Sequence, residues 1–64
     1  LTQRELEILV LMGEPISLRE IAARMTISYT TARRYTVNIY SKFDVHSRWE
    51  AVEAGIRKGL INRR

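Results

Sequence analysis

Hydrophobic residues recur along the chain at intervals of three and four residues, in four segments separated by short polar stretches. This period places the apolar side chains of each segment on one face of an α-helix. No segment alternates at period two for long enough to indicate a strand. The pattern therefore predicts an all-α fold, a compact four-helix bundle. The predicted helices run from about Gln3 to Met12, Leu18 to Met25, Tyr29 to Phe43 and Arg48 to Lys58.

Capping residues mark where these helices begin. Three S/T-x-x-E pairs predict capping boxes, in which the hydroxyl and the carboxylate each accept a backbone N–H. Ser28 is a fourth candidate cap, without the glutamate. Gly13 and Gly59 are placed to end the first and fourth helices. The three pairs are Thr2 with Glu5, Ser17 with Glu20, and Ser47 with Glu50.

The pattern of residues 17–43 predicts two short helices joined by a tight turn. The second of these helices has two distinct faces. We expect Ile39 and Phe43 to be buried on one face. An exposed helix fits the major groove of DNA, where arginine can bond two acceptors of guanine and an apolar side chain can contact the thymine methyl group. An ordinary solvated face is the alternative interpretation. The predicted base-contacting residues are Thr30, Arg33, Arg34 and Val37, with Ser41 on the same face.

Contacts with phosphate groups are expected from the helix ends around this face. A helix N-terminus offers free N–H groups and a dipole that favours an anion, and basic side chains add attraction that does not depend on sequence. Arg19 has an alternative role, which is to pair with acids on its own surface. The predicted phosphate-contacting residues are Ser17, Arg19, Thr31, Lys42 and Arg48.

Composition narrows the class of protein. The chain has 64 residues, no cysteine, one histidine and a net charge of +4. Residues 29–48 carry +3 of that charge, whereas residues 1–28 carry −1. We expect no metal, cofactor or enzymatic activity: Asp44, His46 and Ser47 lie within four residues of one loop and cannot form a catalytic triad. No apolar run reaches the roughly 18 residues of a membrane span, so a cytoplasmic location is expected.

Several motifs follow one another along the chain: LTQRE at residues 1–5, Glu20-Ile21-Ala22, Ile27-Ser28 with Thr31, and Asn38-Ile39 with Lys42-Phe43 and Val45. In this register they resemble the LuxR/GerE-type helix-turn-helix domain of bacterial response regulators and quorum sensors. The closing run from Asn38 to Ile61 also resembles the C-terminal domain of large, ATP-dependent MalT-like regulators. Because the chain begins at Leu1 without a methionine, we expect residues 1–64 to be one module of a longer protein. The resemblance implies that this module is the C-terminal part of a regulator.

The resemblance implies a four-helix fold in which helices two and three form the helix-turn-helix. It implies base contacts from Arg33, Arg34 and Val37, and phosphate contacts from Thr31 and Lys42. It also implies dimerisation through helix four on inverted half-sites, with RNA polymerase as a further candidate partner. The chain departs from the family at Thr26, in the turn, where glycine is frequent. Since threonine resists positive φ, we expect a turn without a left-handed residue there.

The fourth helix carries a second apolar stripe beyond the one needed for a small core. We therefore expect Trp49, Glu53 and Ile56 to contact a second copy in a symmetric interface. The alternative is that Trp49 covers the open end of the bundle.

The sequence is also compatible with two other functions. Region four of sigma factors reads promoters with a similar helix-turn-helix, although its fourth helix is not expected to carry the run from Val45 to Val52. A helical protein-interaction module would instead use the basic face to bind an acidic partner.

Overall fold

The computed structural model describes residues 1–62, which form four α-helices and no strand. The predicted all-α architecture is confirmed, and the four helices begin at the predicted residues. The fourth helix ends at Arg57, one residue earlier than predicted, and Gly59 follows with φ of 76°. The helices are α1 (Gln3–Met12), α2 (Leu18–Met25), α3 (Tyr29–Phe43) and α4 (Arg48–Arg57).

All four predicted N-caps accept a backbone N–H from the residue three positions later. Only the first pair closes as a reciprocal box, with Glu5 N donating to Thr2 Oγ1 at 3.2 Å and Thr2 N donating to Glu5 Oε1 at 2.9 Å. Each cap satisfies one of the N–H groups that a helix start leaves without a partner. The hydroxyl half of each predicted box is therefore correct.

The carboxylate half of the prediction is wrong at α2 and α4. Glu20 Oε2 accepts a hydrogen bond from Arg24 Nε at 3.2 Å, because a guanidinium one helical turn away offers a charged donor. Glu50 Oε1 accepts from the backbone N of His46 at 2.8 Å. At that helix the cap residue Ser47 is more extended, with φ of −147°, and the amide before it lies within reach of the carboxylate.

The core is made of a few large aliphatic side chains and many small residues. Ile8, Leu9, Ile21 and Ile39 are fully buried, and each such burial contributes about 1.5–3 kcal/mol relative to exposure. Alanines at the helix crossings allow α3 to pack against α1, α2 and α4. The buried alanines are Ala22, Ala32, Ala51 and Ala54.

The turn between α2 and α3 contradicts the sequence expectation, because Thr26 is left-handed, with φ of 57° and ψ of 45°. Hydrogen bonds from the chain that follows require this conformation: Ile27 N donates to Ala22 O at 3.0 Å. The same ending recurs after α3, where Asp44 has φ of 57° and Val45 N donates to Tyr40 O at 3.0 Å. A left-handed residue at the helix end satisfies carbonyls that have no partner within the helix.

Replacing Thr26 with glycine should therefore stabilise the domain. A left-handed residue with a Cβ costs about 1–2 kcal/mol, and glycine gives back part of the gain through its freer unfolded chain. We expect the free energy of unfolding in urea to rise by about 0.5–1 kcal/mol. Ala23→Gly, at an exposed helical position one turn away, is the control and should lower it by about 1 kcal/mol. A destabilised Thr26→Gly protein would contradict the proposed strain.

Candidate nucleic-acid interface

The outward face of α3 is the centre of the candidate interface. The predicted division of this helix is confirmed: Ala32 and Ile39 have no exposed surface, whereas the side chain of Val37 is 55% exposed. Phe43, expected in the core, is only partly buried and packs against its edge. The outward set, all exposed, is Thr30, Arg33, Arg34, Val37 and Ser41.

The two arginines of this face are free of internal partners. Within residues 1–62, neither Arg33 nor Arg34 has a carboxylate within ion-pair distance, and α3 itself contains no acidic residue. Arg4 and Arg24, on α1 and α2, do pair with glutamates. Both α3 guanidinium groups therefore keep their full charge and their hydrogen-bond donors for a ligand.

Three of the predicted phosphate-contacting residues lie at the beginnings of α2 and α3. Ser17 Oγ is occupied in capping α2, where it accepts from Glu20 N at 3.1 Å. Thr31 is bound to the cap of α3, since Ser28 Oγ donates to Thr31 Oγ1 at 2.9 Å and accepts from Thr31 N at 3.1 Å. The Thr31 hydroxyl can still donate its own hydrogen to an acceptor outside the protein.

Arg19 contacts an aromatic ring instead of the acids of its own surface, and its predicted phosphate contact stays a prediction. Its guanidinium carbon lies 4.5 Å from the centroid of the Tyr29 ring, within the range of a cation–π contact. Among the described residues it has no carboxylate partner. Tyr29 was not among the predicted site residues, and its signal in the sequence is an aromatic residue directly after the cap of α3.

Lys42 takes part in a partly buried ion pair that joins the first turn of α1 to the last turn of α3. Its Nζ lies 2.9 Å from Oε1 of Glu5, whose residue is only 4% exposed. The backbone N–H of Thr2 and the ammonium of Lys42 both lower the pKa of the Glu5 carboxyl, and these effects outweigh burial, which raises it. The Lys42 side chain is still 49% exposed, so its remaining N–H groups can reach a phosphate.

This carboxylate should make stability depend on pH. Because the pKa of Glu5 is lower in the folded than in the unfolded state, its contribution is present above the unfolded pKa of about 4.3. It is lost as the pH falls through the folded value. We expect the free energy of unfolding to fall below about pH 5, and Glu5→Gln to flatten that slope. Glu7→Gln, which breaks an exposed pair with Arg4, should leave the slope nearly unchanged. Equal slopes for Glu5→Gln and the parent would contradict this.

Arg48 binds the protein itself. Its Nε donates to Met12 O at 3.0 Å and its Nη2 donates to Glu14 O at 2.9 Å. Met12 O lies at the end of α1, where the helix provides no N–H partner, whereas Glu14 O, in the loop after it, also accepts from Ile16 N at 2.8 Å. The guanidinium therefore joins the beginning of α4 to the end of α1. The contact with phosphate predicted for Arg48 stays a prediction.

The outer side of α4 presents a surface, which we call the α4 face, formed by the apolar side chains of Trp49 and Ile56 together with Glu53. Trp49 is 69% exposed, while Glu53 and Ile56 are half-buried. At this exposure Trp49 covers little of the bundle. A groove beside the α4 face is also lined by Val10 and Leu60, which are themselves exposed.

The described part of the chain contains no cluster of metal-binding side chains. Within residues 1–62 no three His, Cys, Asp or Glu side chains are arranged to hold a metal ion. Of the three loop residues discussed above as a catalytic triad, Ser47 caps α4 and Asp44 ends α3 in a left-handed conformation. None of the described helices has the length and apolar character needed to cross a membrane.

Comparisons with known proteins agree with the fold. The chain is 40% identical over 62 residues to the transcriptional regulatory protein LiaR of Bacillus subtilis strain 168, covering 97% of this chain and 29% of LiaR. It is 39% identical over 61 residues to the response regulator protein VraR of Staphylococcus aureus, covering 95% of this chain and 29% of VraR. The crystal structure of the response regulator ChrA, from a heme-sensing two-component system, matches with a TM-score of 0.92 and 39% identity.

The matched proteins are much longer than this chain. The ChrA match covers 95% of this chain and 30% of ChrA, so the chain spans less than a third of the length of these relatives. The relatives named here are response regulators, and the additional resemblance to MalT-like regulators is not supported. Residues 1–54 match the family described as bacterial regulatory proteins, luxR family. The chain belongs to this family and is a helix-turn-helix DNA-binding domain of it.

Proposed function

We propose that this domain recognises a specific double-stranded DNA sequence by placing α3 in the major groove. Thr30, Arg33, Arg34 and Val37 would contact base edges, with the arginines on guanine and Val37 on a thymine methyl group. The observation that carries this proposal is the pair of unpartnered guanidinium groups on a helix face without an acidic residue. The proposed role is binding, without catalysis.

The proposed phosphate contacts surround this helix. Ser17, Arg19 and Thr31 lie at the beginnings of α2 and α3, where backbone N–H groups and the helix dipole favour an anion. Lys42 can add a contact through the exposed part of its ammonium group. For Arg48 the two bonds to carbonyls at the end of α1 and in the loop after it favour a structural role instead.

Selection of binding sites from a pool of random duplexes tests this function. A sequence-specific domain should enrich one motif and bind it at least about 1,000-fold more tightly than unrelated duplexes. Its affinity should also fall with salt, since phosphate contacts release counterions. A pool without enrichment, together with binding to acidic proteins, would favour the interaction-module alternative. The spacing of the motif would also report whether two half-sites are inverted.

The proposed assembly is a homodimer formed through the α4 face. An indole that is 69% exposed beside further exposed apolar side chains supports a protein partner, and a symmetric contact would suit inverted half-sites. In sedimentation, the parent should associate as its concentration rises, and Trp49→Ala should stay monomeric. Val37→Ala, which removes an exposed apolar side chain on α3, is the matched control. Equal monomeric behaviour of Trp49→Ala and the parent at every concentration would refute the dimer for this domain.

We further propose that the chain is the DNA-reading, C-terminal part of a longer bacterial regulator that acts in the cytoplasm. This proposal is supported by the share of its relatives that it covers, 29% of LiaR and 30% of ChrA. RNA polymerase is a candidate partner of that whole regulator.

A further inference from the structure

The contact between Arg19 and Tyr29 distinguishes Arg19 from the other arginines in residues 1–62. Arg4 and Arg24 are each held by carboxylates at 3.2–3.6 Å, whereas Arg19 is held by an aromatic ring at 4.5 Å. A carboxylate neutralises the guanidinium and occupies its donors. A ring face restrains the planar group and leaves its charge and its N–H edge available.

This restraint has a consequence for binding. A free arginine side chain has many rotamers, and it loses part of this rotamer entropy when it binds a ligand. Stacking on Tyr29 reduces the number of conformations of Arg19 before any ligand arrives. A contact made by a pre-organised group loses less free energy on binding than one made by a mobile group.

The position of the stack points to a ligand near α3. Arg19 lies two residues after the Ser17 cap of α2, and Tyr29 follows the Ser28 cap of α3. The stack therefore links the first turns of the two helices of the helix-turn-helix, and Thr30 and Thr31 follow Tyr29 along the chain. With α3 in the major groove, as proposed above, the nearest anions on this side are backbone phosphodiesters.

We propose that Tyr29 is a positioning residue for DNA binding, whose ring holds the Arg19 guanidinium ready to contact a backbone phosphate. The inference rests on the proposed function. The Tyr29 hydroxyl has no part in it, so phenylalanine should replace tyrosine without loss. Because the contact is to phosphate, its loss should weaken binding to all duplexes alike.

A double-mutant cycle tests the proposal, with the selected duplex and an unrelated duplex as probes. Tyr29→Leu, which keeps apolar volume but removes the ring face, should weaken binding to both by about two- to fivefold. Tyr29→Phe should bind within about twofold of the parent, since phenylalanine also presents a ring face. Arg19→Ala should weaken binding and reduce the salt slope by about one. In the Arg19→Ala background, Tyr29→Leu should have no further effect, because the ring would then have no guanidinium to hold.

Three results would overturn the inference. They are an equal loss from Tyr29→Leu in the Arg19→Ala background, an equal loss from Tyr29→Phe, and parental binding by Arg19→Ala. In each of these cases the parent would still prefer its selected duplex, so the proposed function would stand. If the parent shows no preferred duplex, the proposed function fails and the inference fails with it. Urea unfolding of each variant ensures that binding is compared between folded proteins.

Discussion

Replacing Arg33 or Arg34 with alanine is expected to weaken binding to the selected duplex by about 1–3 kcal/mol and to relax the sequence preference at one base pair. Both guanidinium groups are exposed and have no carboxylate partner among the described residues. Neither substitution removes an internal contact of these groups, so the stability of the fold should stay within about 0.5 kcal/mol of the parent. Binding to duplexes that vary one base pair at a time measures both effects.

The pattern of loss distinguishes the two possible ligands of each arginine. A contact with guanine confines the change in preference to one position, whereas a contact with phosphate weakens all duplexes equally and reduces the salt slope by about one. Arg57→Ala, on an exposed position at the end of α4, is the charge-matched control and should keep the sequence preference. Uniform weakening by both Arg33→Ala and Arg34→Ala would contradict base reading by this helix.

Replacing Arg48 with alanine is expected to lower the free energy of unfolding by about 2 kcal/mol. The substitution removes both charged donors that bind Met12 O and Glu14 O, and the carbonyl of Met12 belongs to a residue that is only 3% exposed. A partly buried acceptor that loses its donor pays the cost of desolvation without compensation. Urea unfolding of Arg48→Ala against Arg57→Ala separates this effect from the loss of one positive charge.

The same variant tests the phosphate contact predicted for Arg48. If the guanidinium serves the fold, folded Arg48→Ala protein should show the parental salt slope of DNA binding. A slope lower by about one with unchanged stability would instead place Arg48 on a phosphate.

Most of the fold was predictable from local sequence patterns, because the interactions that begin a helix act over three residues. The hydroxyls of Thr2, Ser17, Ser28 and Ser47 all cap helices at the predicted positions. The exposed face of α3 was predictable for the same reason, since helical spacing alone separates Val37 from Ile39.

Interactions between distant segments were not predictable from spacing. Lys42 and Glu5 are 37 residues apart, and Arg48 and Met12 are 36 residues apart. No periodicity reports which carbonyl or carboxylate a basic side chain will find after the helices pack. Thr26 shows the same limit for the backbone: its side chain disfavours positive φ, yet the hydrogen bond from Ile27 to Ala22 imposes it.

The uneven placement of ion pairs affects how the domain meets DNA. Arg4 and Arg24 are paired with glutamates on α1 and α2, whereas Arg19, Arg33 and Arg34 have no carboxylate partner among the described residues, so α3 and the start of α2 carry unopposed positive charge. Such an arrangement orients a protein during diffusion and raises the rate of productive encounters, an advantage that salt screens strongly. Exposed pairs contribute little to stability. Rising ionic strength should thus slow the capture of DNA well before it disturbs the folded helices.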